Sequence, residues 1–228
     1  MKKILIYLLS SLLIFQSCSE DDPVKGSDDE YFPLQTGFYQ VYDVVEKVYE
    51  NGPVADVFVY QLKTEVVDSF ANQEGGYTFV IHRSKRTTVN DPWQFQEAWS
   101  ARLNSYQAIS TEGNISFVRI GFPATINKEW NGNAMNSLEE DSYLIESVGK
   151  PYELTTNISF DDALVINQQD ELNALKRDQR EEVYARNVGL IYKKSDVLNY
   201  CDDASCFGQQ IIKDGVEYVQ VLNEYGQN

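Results

Sequence analysis

From Tyr31 onward, apolar residues alternate with polar ones in short runs separated by turn residues. Tyr31-Phe32-Pro33-Leu34 and Gly37 lead into Phe38-Tyr39-Gln40-Val41-Tyr42, whose tyrosines fall on alternate positions and predict a strand running on through Val48. Asn51-Gly52 supplies residues that tolerate positive φ, Pro53 starts the return, and Asp56 to Phe70 alternates again, so the pair reads as an antiparallel hairpin. Tyr77 to Val89 is a third strand, ended by Asn90-Asp91-Pro92. Trp93 to Leu103 is a fourth. Unbroken alternation there places Trp93, Phe95, Glu97 and Trp99 on one face.

Tyr106 to Ser110 and Ile115 to Ile120 flank the hairpin turn Glu112-Gly113-Asn114. Lys128 to Asn133 reads as a turn that carries Trp130 into the core, and Ser142 to Val148 and Tyr152 to Phe160 read as further strands. Asp170 to Arg180 is the one segment of helical composition, but it lacks a long apolar stripe, so a short helix or a polar hairpin connection is expected. Glu181 to Ala185 and Leu190 to Lys194 form a hairpin about Arg186 to Gly189, and Lys213-Asp214-Gly215-Val216 turns the chain into a last strand, Glu217 to Leu222. The class that follows is mainly β: one domain of meandering antiparallel strands forming a curved sheet, half-barrel or open barrel, with at most one or two short helices.

The first thirty residues follow another rule. Lys2 and Lys3 precede an apolar run from Ile4 to Phe15, too short for the roughly 20 residues of a permanent span, and Phe15-Gln16-Ser17-Cys18 follows. This is a secretory leader, residues 1–17, ending in a lipobox-like site that makes Cys18 the lipid-bearing first residue. The alternative is an ordinary leader with a coincidental cysteine. Ser19-Glu20-Asp21-Asp22 resembles the acidic export signal of Bacteroidota surface lipoproteins, and residues 18–30 read as a solvated acidic tether ahead of a body at 31–228. The expected location is the outer membrane, held by N-terminal acyl chains such as palmitate and facing the cell surface, or alternatively the periplasmic face.

Charge and cysteine usage narrow the partners. Lys2 and Lys3 leave with the leader, so the exported chain keeps 17 basic residues against 35 acidic ones, a formal charge of −18. Such a body repels nucleic acid and anionic head groups, so no nucleic-acid partner is expected and attachment rests on the lipid. With Cys18 taken by lipid, Cys201 and Cys206 remain as an even pair in an oxidising compartment, which favours a local disulfide. No metal site or cofactor is expected, since the single histidine cannot complete a ligand set.

Catalytic signals are thin. His82 is the sole imidazole, and no Gly-x-Ser-x-Gly elbow supplies a nucleophile. Paired carboxylates could cleave glycosides, but Glu139, Glu140, Asp141, Asp161 and Asp162 sit in acidic turns. The aromatic residues point elsewhere: Trp93, Trp99 and Trp130 either line a concave sheet, where they stack on a ligand, or fill the core.

Three stretches carry a resemblance: Tyr31-Phe32-Pro33-Leu34-x-x-Gly37, the block from Phe122-Pro123 to Trp130-Asn131-Gly132-Asn133, and Glu182-Val183-Tyr184-Ala185-x-x-Val188-Gly189-Leu190-Ile191. Together they look like a family of uncharacterised Bacteroidota lipoproteins, with Phe38-Tyr39-Gln40 where members often have Asn-Tyr-Trp. Members look distantly like curved-sheet, half-barrel lipoprotein carriers, an analogy of fold alone. The reading is a non-enzymatic binding module for an apolar ligand, glycan or protein partner; the alternatives are an accessory subunit of an outer-membrane complex and, last, a carboxylate-dependent hydrolase.

Overall fold

The computed structural model describes residues 26–228; the leader, Cys18 and the export segment Ser19 to Asp22 lie outside the described residues. Twelve strands form one antiparallel sheet: β1 (Phe38–Tyr49), β2 (Asp56–Ala71), β3 (Tyr77–Arg86), β4 (Gln94–Leu103), β5 (Gln107–Glu112), β6 (Ile115–Gly121), β7 (Glu129–Asn131), β8 (Ser142–Thr155), β9 (Ile158–Leu172), β10 (Lys176–Ala185), β11 (Gly189–Tyr200) and β12 (Ile212–Gln227). Their spatial order runs from β6 down to β1, then β12 down to β7. Every strand therefore pairs with its sequence neighbours except across β6 and β7, and β1 pairs with β12, from Phe38↔Gln227 to Tyr49↔Gly215. The meander curls into a nearly closed barrel, the mainly β architecture that the alternation predicts.

β6 and β7 meet at the one seam without a regular ladder. There the Val118 backbone amide donates to the Gly132 carbonyl at 2.8 Å, and the Asn136 side-chain Nδ2 to Ser116 O at 2.8 Å. Trp130 donates its Nε1–H to Val118 O at 3.0 Å and meets Tyr143 edge-on at 5.8 Å. Gly132 passes beneath that tyrosine ring, where a Cβ would lie 2.4 Å from it. Trp130 thus seals the barrel wall beside the cluster of Ile120, Ile145, Leu164, Ile166 and Tyr184.

Several boundaries differ from the sequence expectation. Tyr152 to Phe160 is not one strand: the turn at residues 156–157 separates β8 from β9 within it. Asp170 to Arg180 is a hairpin, because Asn173 caps its turn by accepting from the amides of Leu175 and Lys176, and the charged residues on either side stay in the ladder. Gly215 lies inside β12, where β11 passes too close for any side chain. Among the described residues the sole helical element is the 3-10 turn Asp28–Tyr31, docked on the barrel by the Ala124 amide donating to Asp28 and by Arg186 on Glu30.

The expected shared face of Trp93 and Trp99 does not form. Arg83 pairs with Glu97 and Ser84 with Phe95, so Gln96 is an extra residue in β4. This bulge shifts the alternation by one. Phe95 is left 59% exposed against the His82 ring at 5.1 Å, while Glu97 and Trp99 turn inward.

Candidate functional site

The barrel encloses a cavity of about 700 Å³, whose wall mixes aromatic, amide and charged groups. A second space of about 920 Å³ shares Glu46, Tyr60, Lys85 and Gln96 with it and extends to the rim formed by the start of β2 and the β3–β4 turn. The shared residues make the second space a vestibule bordering the first, the chamber.

The deepest polar group is Glu182, 1% exposed. It faces Lys193 directly across the β10–β11 ladder and accepts from its Nζ at 2.8 Å, from the Tyr184 hydroxyl at 2.6 Å and from Arg119 Nη1 at 3.5 Å. Arg119, on β6, also donates to Glu112 and, at 3.0 Å, to the Ser110 hydroxyl. Burial alone would raise the Glu182 pKa; Lys193 and Arg119 outweigh it and hold the carboxyl at about 2. Glu112 is likewise lowered, its burial more than offset by Arg119 and Lys193. The Tyr184 hydroxyl is pushed up by its own burial and by Glu182.

The opposite wall, on β3 and β4, repeats the theme. Arg83 donates to Glu97 at 2.7 Å and stacks on the Trp99 ring at 3.7 Å. Lys85 lies over the Tyr60 ring at 4.1 Å, and the Tyr60 hydroxyl donates to Glu46 at 3.0 Å. Arg83 Nε and Trp99 Nε1 are buried donors with no acceptor among the described residues. Buried donors normally have partners, so this pair departs from the rule that the rest of the wall obeys.

The three tryptophans are not brought together. Trp99 lines the chamber; Trp130 is in the seam; Trp93 stacks under Arg86 at 4.2 Å and lines neither space. His82 is exposed on the outer surface. Asp161 and Asp162 lie within β9 rather than in a turn, since both neighbouring strands pair with it there, and none of the five carboxylates reaches the chamber: Arg180 grips Asp141 with two bonds of 2.7 and 2.9 Å, and Arg186 holds Asp162 at 2.7 Å. Cys201 and Cys206 have Cα atoms 5.9 Å apart, at disulfide distance, in the β11–β12 loop well away from the chamber lining.

The charged cluster was missed by reading motifs. Its signal was present: Arg119 interrupts the apolar run Phe117-Val118-x-Ile120, and Glu182 precedes Val183 in a stretch otherwise bound for the core. A charge at an inward position of a strand is a buried charge, and a buried charge requires partners.

No known protein family matches the chain, and no curated protein does. Among solved structures, a Bacteroides fragilis protein described as exported, with a YmcC-like fold, superposes with a TM-score of 0.48 at 10% identity, covering 86% of this chain and 98% of that one. A protein described as a lipoprotein from Parabacteroides distasonis gives 0.42 at 12% identity, over 86% and 98% of the two chains.

Proposed function

We propose that this chain is an exported lipoprotein of the outer membrane, anchored through Cys18 and facing the cell surface, whose barrel binds a small ligand in its interior. The carrying observation is the chamber of about 700 Å³, within the ordinary range of ligand pockets and walled by groups a well-packed core would not contain. The wall chemistry favours binding over hydrolysis. A glycosidase acid needs a carboxyl held protonated, and both deep chamber carboxyls, Glu112 and Glu182, have lowered pKa values.

The test compares solvent extracts of the wild type with those of Val66→Trp, which projects a large ring into the chamber from β2. A compound present in the first and absent from the second supports the reading; extracts identical in the two overturn it. Anchoring is tested by Cys18→Ala, which is expected to move the protein from the membrane to the soluble fraction; retention in the membrane contradicts it.

The accessory-subunit reading draws on a different feature. β2 pairs with β3 only from Gln61, so Asp56 to Tyr60 has a free edge, along which Val57 and Val59 are 58% and 63% exposed. Exposed apolar edges are where other chains add strands. Crosslinking on intact cells from position 57 tests this reading.

A further inference from the structure

On the reading of the chamber as a ligand site, its wall decides what can enter. The chamber's charges cancel. Its four cations, Arg83, Lys85, Arg119 and Lys193, are matched by Glu97, Glu46, Glu112 and Glu182, and a fifth carboxylate, Glu65, is neutralised by Lys63 at 2.6 Å. A ligand with a net charge would lose its hydration and meet no surplus counter-charge, which costs more than the chamber returns.

The polar groups are also unevenly placed. Glu46, Lys85 and Tyr60 border the vestibule, and on β3 Ile81, Arg83 and Lys85 step from the far end towards it. The end nearest the chain's entry into the barrel is lined by Phe32, Leu34, Phe38, Ile81 and Leu190. That end lies beside the β10–β11 turn and the start of β1, as the bonds from the Gly37 amide to Val66 O and from Gln40 Nε2 to Val188 O fix. Between the two regions stands the Arg83–Trp99 stack, carrying two donors, Nε and Nε1, that the protein leaves without acceptors.

The geometry points to a neutral amphiphile: an uncharged, oxygen-rich head such as a glycoside, lodged against Arg83 and Trp99, with an apolar tail running to Phe32, Leu34 and Phe38. Hydroxyl and ether oxygens supply acceptors for the orphan donors without adding charge, and the tail replaces water at the apolar end.

The test uses the exported chain carrying Cys18→Ala, purified without detergent, because the protein's own acyl chains would compete for an apolar site. Calorimetric titration with octyl glucoside, octanoate, octyltrimethylammonium and glucose, below micellar concentrations, separates head from tail. Octyl glucoside is expected to bind roughly tenfold or more tightly than either charged octyl compound and than glucose. Trp99→Phe and Arg83→Lys, which each remove one orphan donor and keep ring or charge, are each expected to weaken octyl glucoside several-fold with the thermal midpoint held. Binding of none of the four overturns the chamber as a ligand site. A charged octyl compound binding as tightly as the glucoside overturns neutrality. Glucose alone matching octyl glucoside overturns the tail, and unchanged affinity in both variants overturns the placement of the head.

Discussion

Glu182 shows how a buried charge can be both costly and structural. Its carboxylate is buried, yet Lys193, Tyr184 and Arg119 occupy its oxygens, so removing its charge leaves two cations facing a neutral amide. Glu182→Gln should cost on the order of 3 kcal/mol at pH 7, read by urea unfolding. The pH dependence has a defined sign. A carboxyl at about 2 in the folded protein, against 4.5 ordinarily, contributes stability that is complete above about pH 4.5 and lost as pH falls towards 2. That contribution is about 3 kcal/mol. Wild type should therefore lose stability between pH 5 and pH 2, and Glu182→Gln should lose less over the same interval, the remainder coming from Glu112 and Glu217, which are lowered too. Parallel losses in the two proteins would contradict the network. Gly215 is the backbone counterpart: its φ is +129°, and a Cβ there would sit 2.2 Å from Val197 O. Gly215→Ala should cost at least about 2 kcal/mol, measured as a fall in thermal midpoint; an unchanged midpoint would mean that β11 and β12 separate freely there.

At the scale of elements, alternation located the strands and lost the faces. The hairpins about Asn51-Gly52 and Arg186 to Gly189 were legible because turn residues and alternating runs agree there. β4 was legible as a strand, but the bulge at Gln96 shifts the alternation so that Trp99 no longer shares the face of Trp93 and Phe95, and no residue type announces it. The helical composition of Asp170 to Arg180 yields to the ladder because both flanking segments find strand partners, a tertiary gain that local propensity does not contain. The candidate site was the least legible part. Its members come from β1 to β6 and from β10 to β12, so no motif spans them. One loop offers a direct check. A bond between Cys201 and Cys206 would close a short ring worth roughly 2 kcal/mol, so Cys206→Ser should lower stability by about that amount. The mature wild type should take up two alkyl groups only after reduction, and alkylation without reductant would exclude the bond.

For the whole molecule, the circular meander sets what each end of the barrel does. Turns alternate between two rims, and the β1–β12 pairing places the chain's entry, the Asp28–Tyr31 turn and the β10–β11 turn on one of them. The vestibule lies on the other, between the start of β2 and the β3–β4 turn. On the proposal of a lipid anchor at Cys18, this arrangement points the vestibule away from the rim at which the described chain begins. If the barrel is a binding module, its interior is occupied in the working protein, and that occupant is visible as electron density inside the barrel. Crystals of protein purified from its own export compartment should show continuous non-protein density from the Arg83–Trp99 stack to Phe38. A chamber holding only ordered water, with acceptors for Arg83 Nε and Trp99 Nε1 supplied by that water, would contradict it.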